Sequence, residues 1–288
     1  LLTTDAIVDG IHFRSVDERW YDIGWKCAVS NLSDIAAMGG IPDHALVTLG
    51  VPQGSSIETY AEFYSGMNEA FAEFGGRIVG GDVVSSPTMF VNLALTGHPS
   101  SDSSGKSAWL QRSAAQVDDL VYITGPLGGA AGGLEALLAG DTNPSGQMLI
   151  DRHYRPTPRI ELGQSLVSSG VTCAMDVSDG LVGDLEKLAN ASNVAITIEM
   201  SAIPIPAELI FMFGTSAIEL ALSGGEDYEL VFTAPETIVN TLKPDARRGL
   251  TVIGSVTSDE VAGGKVDVID ANGDHYDPIR KGWDHLDG

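Results

Sequence analysis

The stretch Ala174-Met175-Asp176-Val177-Ser178-Asp179-Gly180-Leu181 holds two carboxylates three positions apart, with a serine between them and a glycine after. The apolar run Val171 to Met175 leads into it and predicts a buried strand; Leu181, Leu185 and Leu188 then recur at helical spacing. Two acids at the end of a buried strand repel each other, and a divalent cation is an economical way to offset that. A plainer reading also stands for this stretch alone: Asp179 caps the helix, Gly180 allows the bend, and the other acid is solvated. The rest of the chain weighs against it. Asp5, Asp82 and Asp227 also stand where an apolar run meets glycine or a turn, and Asp34 lies inside an apolar helical segment, where a lone charge needs a partner. So many acids in one setting are hard to explain as caps. Oxygen ligands without Cys or clustered His point to Mg²⁺ rather than zinc. Mg²⁺ held by a few carboxylates bridges substrate phosphates, the chemistry of nucleotide-dependent phosphoryl transfer.

The elements that must position these acids follow from periodicity. The chain opens on the end of a strand that reaches Asp5. Tyr21 to Met38 reads as a helix stopped by Gly39, Gly40 and Pro42. His44 to Val51 is a strand, and Ile57, Tyr60, Ala61, Tyr64, Met67, Phe71 and Phe74 fall on one helical face ended by Gly75. Arg77 to Val79 is a short strand running into Gly80-Gly81-Asp82, and Met89 to Thr96 is another. The Ser/Gly-rich patch Ser100 to Ser107 marks a domain boundary, giving domains 1–105 and 106–288. Beyond it come a strand at Leu120 to Thr124, a glycine-rich helix ending near Ala139, and a helix over Ile160 to Val167. Strands follow at Val194 to Ile198, Tyr228 to Thr233, Thr251 to Val256 and Val266 to Ile269, with a hairpin signal at Asn272-Gly273. Strands and helices alternate in both halves, which predicts two α/β domains.

Composition narrows the function further. An apolar fraction of 43% supports a packed core, and a net charge of -23 argues against nucleic acid or an anionic membrane as partner. It does not exclude a phosphate substrate, because metal ions reverse the local sign. Cys27 and Cys173 are each embedded in an apolar run and form no CxxC pair, so buried thiols in a reducing, cytoplasmic compartment are expected. No apolar run is long enough to span a membrane. The sequence has no P-loop, no GxGxxG register at Gly125 to Gly133, no GxSxG elbow, no HExxH and no kinase HRD set. His12, His44 and His153 are scattered, with surface or capping roles as the default reading of each.

The motifs together resemble the thiamine-monophosphate kinase family. Its superfamily also holds aminoimidazole ribonucleotide synthetase, selenophosphate synthetase and the hydrogenase maturation protein that dehydrates carbamoyl groups. The resemblance rests on Thr3-Thr4-Asp5, Val8-Asp9-Gly10-Ile11-His12-Phe13, Lys26, the run Asn31 to Gly39, Gly80-Gly81-Asp82, Arg152 to Arg159, Asp176 to Leu181, the run Ser223 to Leu230, and Trp283. These occur in family order over nearly the whole chain. The resemblance implies a two-domain ATP-binding fold of α/β (α+β) type, with mixed sheets and flanking helices. It implies ATP-dependent phosphorylation of thiamine phosphate to thiamine diphosphate, with several Mg²⁺ ions per site. It places metal ligands at Thr4, Asp5, Asp34, Asp82, Asp176 and Asp179, with Thr3 also near a metal; Asp34, Asp82 and Asp179 are the catalytic candidates. It places ATP contacts at Arg112 and Ser178, and thiamine phosphate contacts at His12, Glu226 and Trp283. It also implies a homodimer paired through the N-terminal domains across a shared sheet. Two departures stand out. Family chains carry an upstream Gly-Asp-Asp segment with a further metal-ligating aspartate, which is expected to precede Leu1. Val83-Val84 stand where threonines are commoner.

The expected reaction is direct in-line transfer from ATP to a phosphate oxygen that is already ionised, so no protein nucleophile or strong base is needed. The alternatives are another ATP-using enzyme of the superfamily, such as a purine-pathway synthetase, and a non-catalytic nucleotide- or metal-binding scaffold.

Overall fold

Alternation along the first strand, β1 (Leu2–Val8), decides which acids face the interior. Thr3, Asp5 and Ile7 are half-buried, while Leu2, Thr4 and Ala6 are exposed on the other face. The helix that follows, α1 (Trp20–Ala37), is buried on every side from Ile23 onward except at Asp34. A helix that is apolar all round must lie inside the molecule. Next come β2 (Gly40–Val51), α2 (Ile57–Phe74), β3 (Arg77–Ser85), β4 (Phe90–Ser101) and the short β5 (Ser107–Ala108). The strands form one mixed sheet in the order β1-β4-β2-β3, with β5 paired to the end of β4; only β2 and β3 are parallel. Gly24 and Gly66 let α1 and α2 cross closely. A Cβ at Gly24 would stand 1.9 Å from the Phe63 carbonyl oxygen, and one at Gly66 would stand 1.8 Å from that of Tyr21.

The second half supplies β6 (Leu120–Ile123), α3 (Gly129–Leu138), α4 (Pro144–Tyr154), α5 (Ile160–Ser168), β7 (Cys173–Asp176), α6 (Leu181–Ser192), β8 (Ala195–Glu199), α7 (Ala207–Phe213), α8 (Ala217–Ser223), β9 (Leu230–Ala234), β10 (Thr251–Thr257) and β11 (Val266–Ile269). Its sheet runs β11-β8-β10-β6-β9-β7 and is antiparallel except between β11 and β8. One face, with Val121, Ile123, Met175 and Val231, packs on α6. The other, with Tyr122, Ala174, Leu230 and Phe232, joins the core that runs through α1 and α5 into the first sheet. So α1 lies between the two sheets and touches both. The structure, a computed structural model, describes residues 1–258 and 264–283. No helix among them is long and apolar enough to cross a membrane.

Several local expectations shift. The second strand begins at Gly40, before the expected His44, because Gly40, Ile41 and Pro42 pair with Pro99, His98 and Gly97 of β4. Gly80-Gly81-Asp82 is not a turn: it lies within β3, and Asp82 pairs with Thr48. Helix α4 has no counterpart in the sequence reading; Asn143 caps it and Pro144 occupies its first turn. The patch Ser100 to Ser107 is a hairpin whose far strand, β5, belongs to the first sheet.

Candidate active site

The acids gather where α1 passes between the sheets. Asp5 reaches inward from β1, Asp34 from the last turns of α1, and Asp176 from the end of β7. Thr3 donates its hydroxyl to Asp34, and Ser33 donates to Asp176 at 2.6 Å. Burial first, then the nearby Asp5, pushes the Asp34 carboxyl up to about 6 against the lowering effect of Thr3. Burial, then Asp34, pushes Asp176 up to about 8. Buried Tyr228 feels the field of Glu226, Asp5, Asp176 and Asp34 together, which raises its phenol well above the usual range after burial itself. The side-chain donors to Asp34 and Asp176 are hydroxyls, and among the described residues no cationic side chain bonds either acid. Among the described residues, no three acidic, Cys or His side chains stand close enough to hold one ion between them. Oxygen-only carboxylates that repel each other, with hydroxyls beside them, fit Mg²⁺, which takes one or two carboxylates and completes its shell with water and phosphate oxygens.

The turn after β7 is built differently from the expectation. Asp179 does not cap α6; the cap position is Gly180, which has no side chain to offer. Asp184, fully buried one turn into the helix, reaches back instead. Its Oδ2 accepts from the backbone N–H groups of Ser178, Asp179 and Gly180 at 3.0–3.1 Å. That frees the Asp179 carboxylate, which ion-pairs with Lys187, while Lys187 also reaches Asp184 at 2.8 Å. The sequence signal for Asp184 is an acid in the first turn of a helix with a glycine cap, where orphan N–H groups need an acceptor. Asp227, counted with the metal-site acids from sequence, is also a cap. It accepts from Gly128 N at 2.5 Å and Ala130 N at 2.9 Å, at the start of α3. Burial nonetheless pushes its carboxyl up to about 7.

The loop before β9 is pinned against this turn. Glu226 N donates to Ser178 O at 2.8 Å, Tyr228 N to Val177 O at 3.0 Å, and Val177 N to Glu229 O at 2.8 Å. Glu226 and Tyr228 both adopt left-handed backbone, with φ of 69° and 52°. Such conformations are sparsely populated by non-glycine residues and cluster at functional sites. The result aims Glu226 at α1, where Lys26 Nζ meets its Oε2 at 2.6 Å. His153 of α4 completes the group, with Nε2 3.5 Å from Lys26 Nζ and Nδ1 3.6 Å from Glu226 Oε2. Burial pushes the Glu226 carboxyl up, but Lys26, His153 and His12 outweigh it, and the net shift is down. These residues line a small cavity with His12, Phe13 and Tyr228. Lys26, Ser30 and Ser33 follow one another on a single face of α1. The eight steps from Lys26 to Asp34 therefore span about 12 Å at about 1.5 Å per residue.

Other predicted site residues stand apart. Thr4 points to the opposite face of β1 from Asp5, and its hydroxyl donates to Asn92 at 3.0 Å. Asp82 shares that outer face through the pairing of Thr48 with both Asp82 and Asn92, and it is exposed. Arg112 is exposed near the C-terminal end of α6, where its carbonyl accepts from Ser192 at 2.9 Å. Twelve residues of α6 put that end about 18 Å from the Asp179 turn. Ser178 lies in the turn itself. Trp283 crosses that turn, its N–H donating to Asp179 O at 2.9 Å and its side chain 54% exposed. Lys26 was legible only as part of a motif. His153 was missed, although Leu149, Ile150, His153 and Tyr154 fall on one helical face, which puts this histidine with the apolar residues.

Comparison with known proteins adds to this geometry. Residues 1–98 match the family described as AIR synthase related protein, N-terminal domain, and residues 116–267 match the corresponding C-terminal domain. A thiamine-monophosphate kinase of Aquifex aeolicus is 35% identical over 99% of this chain and 88% of its own length. One from Bacillus subtilis is 36% identical over 85% of this chain and 75% of its own. The solved structure described as AaThiL complexed with AMPPCP and TMP superposes with a TM-score of 0.87 at 34% identity, covering 99% of this chain and 86% of that one.

Proposed function

The chain belongs to the thiamine-monophosphate kinase family, and we propose that its two polar clusters divide the work of one phosphoryl transfer. The enzyme uses ATP to phosphorylate thiamine phosphate, forming thiamine diphosphate. Both reactants are anions, so repulsion between them is the main barrier. Asp5, Asp34, Asp176 and Asp179 would hold Mg²⁺, and the bound ion supplies the positive charge that neutralises and aligns the phosphates. The observation that carries this reading is the convergence of Asp5, Asp34 and Asp176 between the sheets, where the side chains bonded to Asp34 and Asp176 among the described residues are the hydroxyls of Thr3 and Ser33.

The chain's own residues do the rest. Thr3 and Ser33 fix the orientations of Asp34 and Asp176. Asp184 ties down the backbone of Ser178 and Asp179, so the Asp179 carboxylate keeps its direction. Ser178 and Arg112 are assigned to ATP, with Arg112 at the remote end. His12, Glu226 and Trp283 are assigned to thiamine phosphate; a half-exposed indole suits its cationic thiazolium ring. Asp82 and Thr4 lie on the outer face of the first sheet beside exposed Leu2, Leu46 and Val84. That uncovered apolar face supports a homodimer paired through the first half, which would bring these two residues to a second chain. We divide the chain at 105/106 into an N-terminal metal-binding and pairing unit and a C-terminal nucleotide and substrate unit. A reducing cytoplasm suits its two buried free thiols, Cys27 and Cys173.

A coupled assay with ATP and Mg²⁺ tests the reading by offering thiamine phosphate, thiamine and aminoimidazole precursors side by side. Thiamine phosphate should be the preferred acceptor. Turnover of an aminoimidazole precursor instead would move the chain to a purine-pathway role, and ATP binding with no turnover would make it a scaffold.

A further inference from the structure

The cavity beside Lys26 contains a polar group that phosphoryl transfer leaves without a task. His153 is 5% exposed, and its Nδ1 has no hydrogen-bond partner. Its other nitrogen, Nε2, stands 3.5 Å from Lys26 Nζ. An ammonium has three hydrogens to donate and no lone pair to offer, so Nε2 is the acceptor and the ring proton sits on Nδ1. Burial, and then Lys26, push the imidazole pKa down to about 3, which keeps the ring neutral around pH 7. The surroundings agree with this tautomer. The group near Nδ1 is an acceptor, the Glu226 carboxylate, whose Oε2 at 3.6 Å stands just beyond hydrogen-bond distance; the Ala130 backbone also acts on the ring and favours its protonated form.

The result is a fixed, buried N–H donor 3.6 Å from a fixed carboxylate acceptor. A donor beside an acceptor is the complement of a ring nitrogen beside an amino group. The 4-aminopyrimidine of thiamine phosphate carries such an edge. The partly open cavity is about 20 Å³, room for one water, so the pair admits a ring edge rather than a whole ring. We propose that His153 and Glu226 together read the aminopyrimidine edge of thiamine phosphate, an inference that rests on the kinase reading above. The His153 Nδ1–H donates to the ring nitrogen, and the Glu226 carboxylate accepts from the amino group. Lys26 is a positioning residue: it bonds the carboxylate and fixes the tautomer of the ring. An unmet donor in a buried site is a strong basis for selectivity, because a ligand that cannot meet it leaves it unmet.

Oxythiamine phosphate, in which oxygen replaces the amino group, tests this because its edge has donor and acceptor exchanged. The unmodified enzyme should prefer thiamine phosphate by about 100-fold or more in kcat/KM. His153→Leu should raise KM for thiamine phosphate by about 5- to 100-fold and shrink that preference at least about tenfold, with kcat and KM for ATP within about twofold. His153→Asn, whose amide nitrogen can stand where Nδ1 stood, should recover much of the preference. The unmodified enzyme turning over both substrates equally well would overturn the edge reading without touching the kinase assignment, and needs no variant. So would an unchanged preference in His153→Leu, or a loss of ATP affinity as large as that for thiamine phosphate. No turnover of thiamine phosphate by the unmodified enzyme would overturn both.

Discussion

One face of α1 meets a carboxylate largely withdrawn from solvent at each end, and the two ends treat it in opposite ways. At the Lys26 end, Glu226 has an ammonium at 2.6 Å and an imidazole beside it, and its pKa falls despite burial. At the Asp34 end, the side chains bonded to Asp34 and Asp176 are hydroxyls; burial and then Asp5 push Asp34 up to about 6, and burial and then Asp34 push Asp176 up to about 8. The first end is charge-balanced and suits a neutral group. The second lacks positive charge and suits a cation brought from outside. Breaking a buried pair costs more than deleting one of two repelling charges, so the two ends should respond differently to the same kind of mutation.

The largest effect is expected at the unbalanced end. Asp176→Asn should lower turnover by about 100-fold or more, on the scale seen when a group that stabilises transition-state charge is removed. Its melting temperature in EDTA should equal or exceed that of the parent, because one of two repelling carboxylates is gone. Mg²⁺ at a hundred times its Kd should stabilise the parent by about 2.7 kcal/mol, and the variant by less. A variant that melts several degrees lower in EDTA would break the contrast between the ends.

The balanced end should behave in reverse. Lys26→Met strips Glu226 of its ammonium. Removing one partner of a fully buried pair costs about 3–5 kcal/mol. The Glu226 side chain is 32% exposed, so a loss of about 1–2 kcal/mol is expected after allowing for solvent. The loss should persist at saturating Mg²⁺. Full rescue by Mg²⁺ in a denaturant titration would mean that both ends respond to the same ion.

The smallest effect is expected at Lys187, which is 44% exposed and pairs with Asp179 and Asp184. It is a tethered cation at the edge of the unbalanced cluster. Lys187→Met should change stability by less than about 1 kcal/mol, since Asp184 keeps its three backbone donors. Mg²⁺ should then act at lower concentration, because no side chain competes for Asp179. Weaker Mg²⁺ affinity, read from the melting midpoint against ion concentration, would assign Lys187 a supporting role instead.

Periodicity made the skeleton legible. The helical face from Ile57 to Phe74 gives α2 to the residue, and the apolar run into Asp176 gives β7. Asp5, Asp34 and Asp176 were legible because charges in apolar settings need an explanation. Which face a residue takes was harder to read. Thr4 was grouped with Asp5, although neighbours in a strand point to opposite sides. Asp179 and Asp227 read alike as acids in glycine-containing turns, yet only Asp227 caps a helix, because an acid one turn further on had already met the α6 donors. His153 was hidden for another reason: Lys26 lies 127 residues before it and 200 before Glu226, the three stand on different elements, and only packing joins them.

The single straight face of α1 has one more consequence. Lys26 and Asp34 belong to the same rigid rod, buried on both sides, so the gap between the two clusters does not stretch. A substrate held at both ends is measured as well as recognised. An analogue lengthened by one methylene between its rings and its phosphate would carry every required group and still be out of step, seated at one end and short of the mark at the other. On this view the helix acts as a gauge, and molecular length is part of what the site selects.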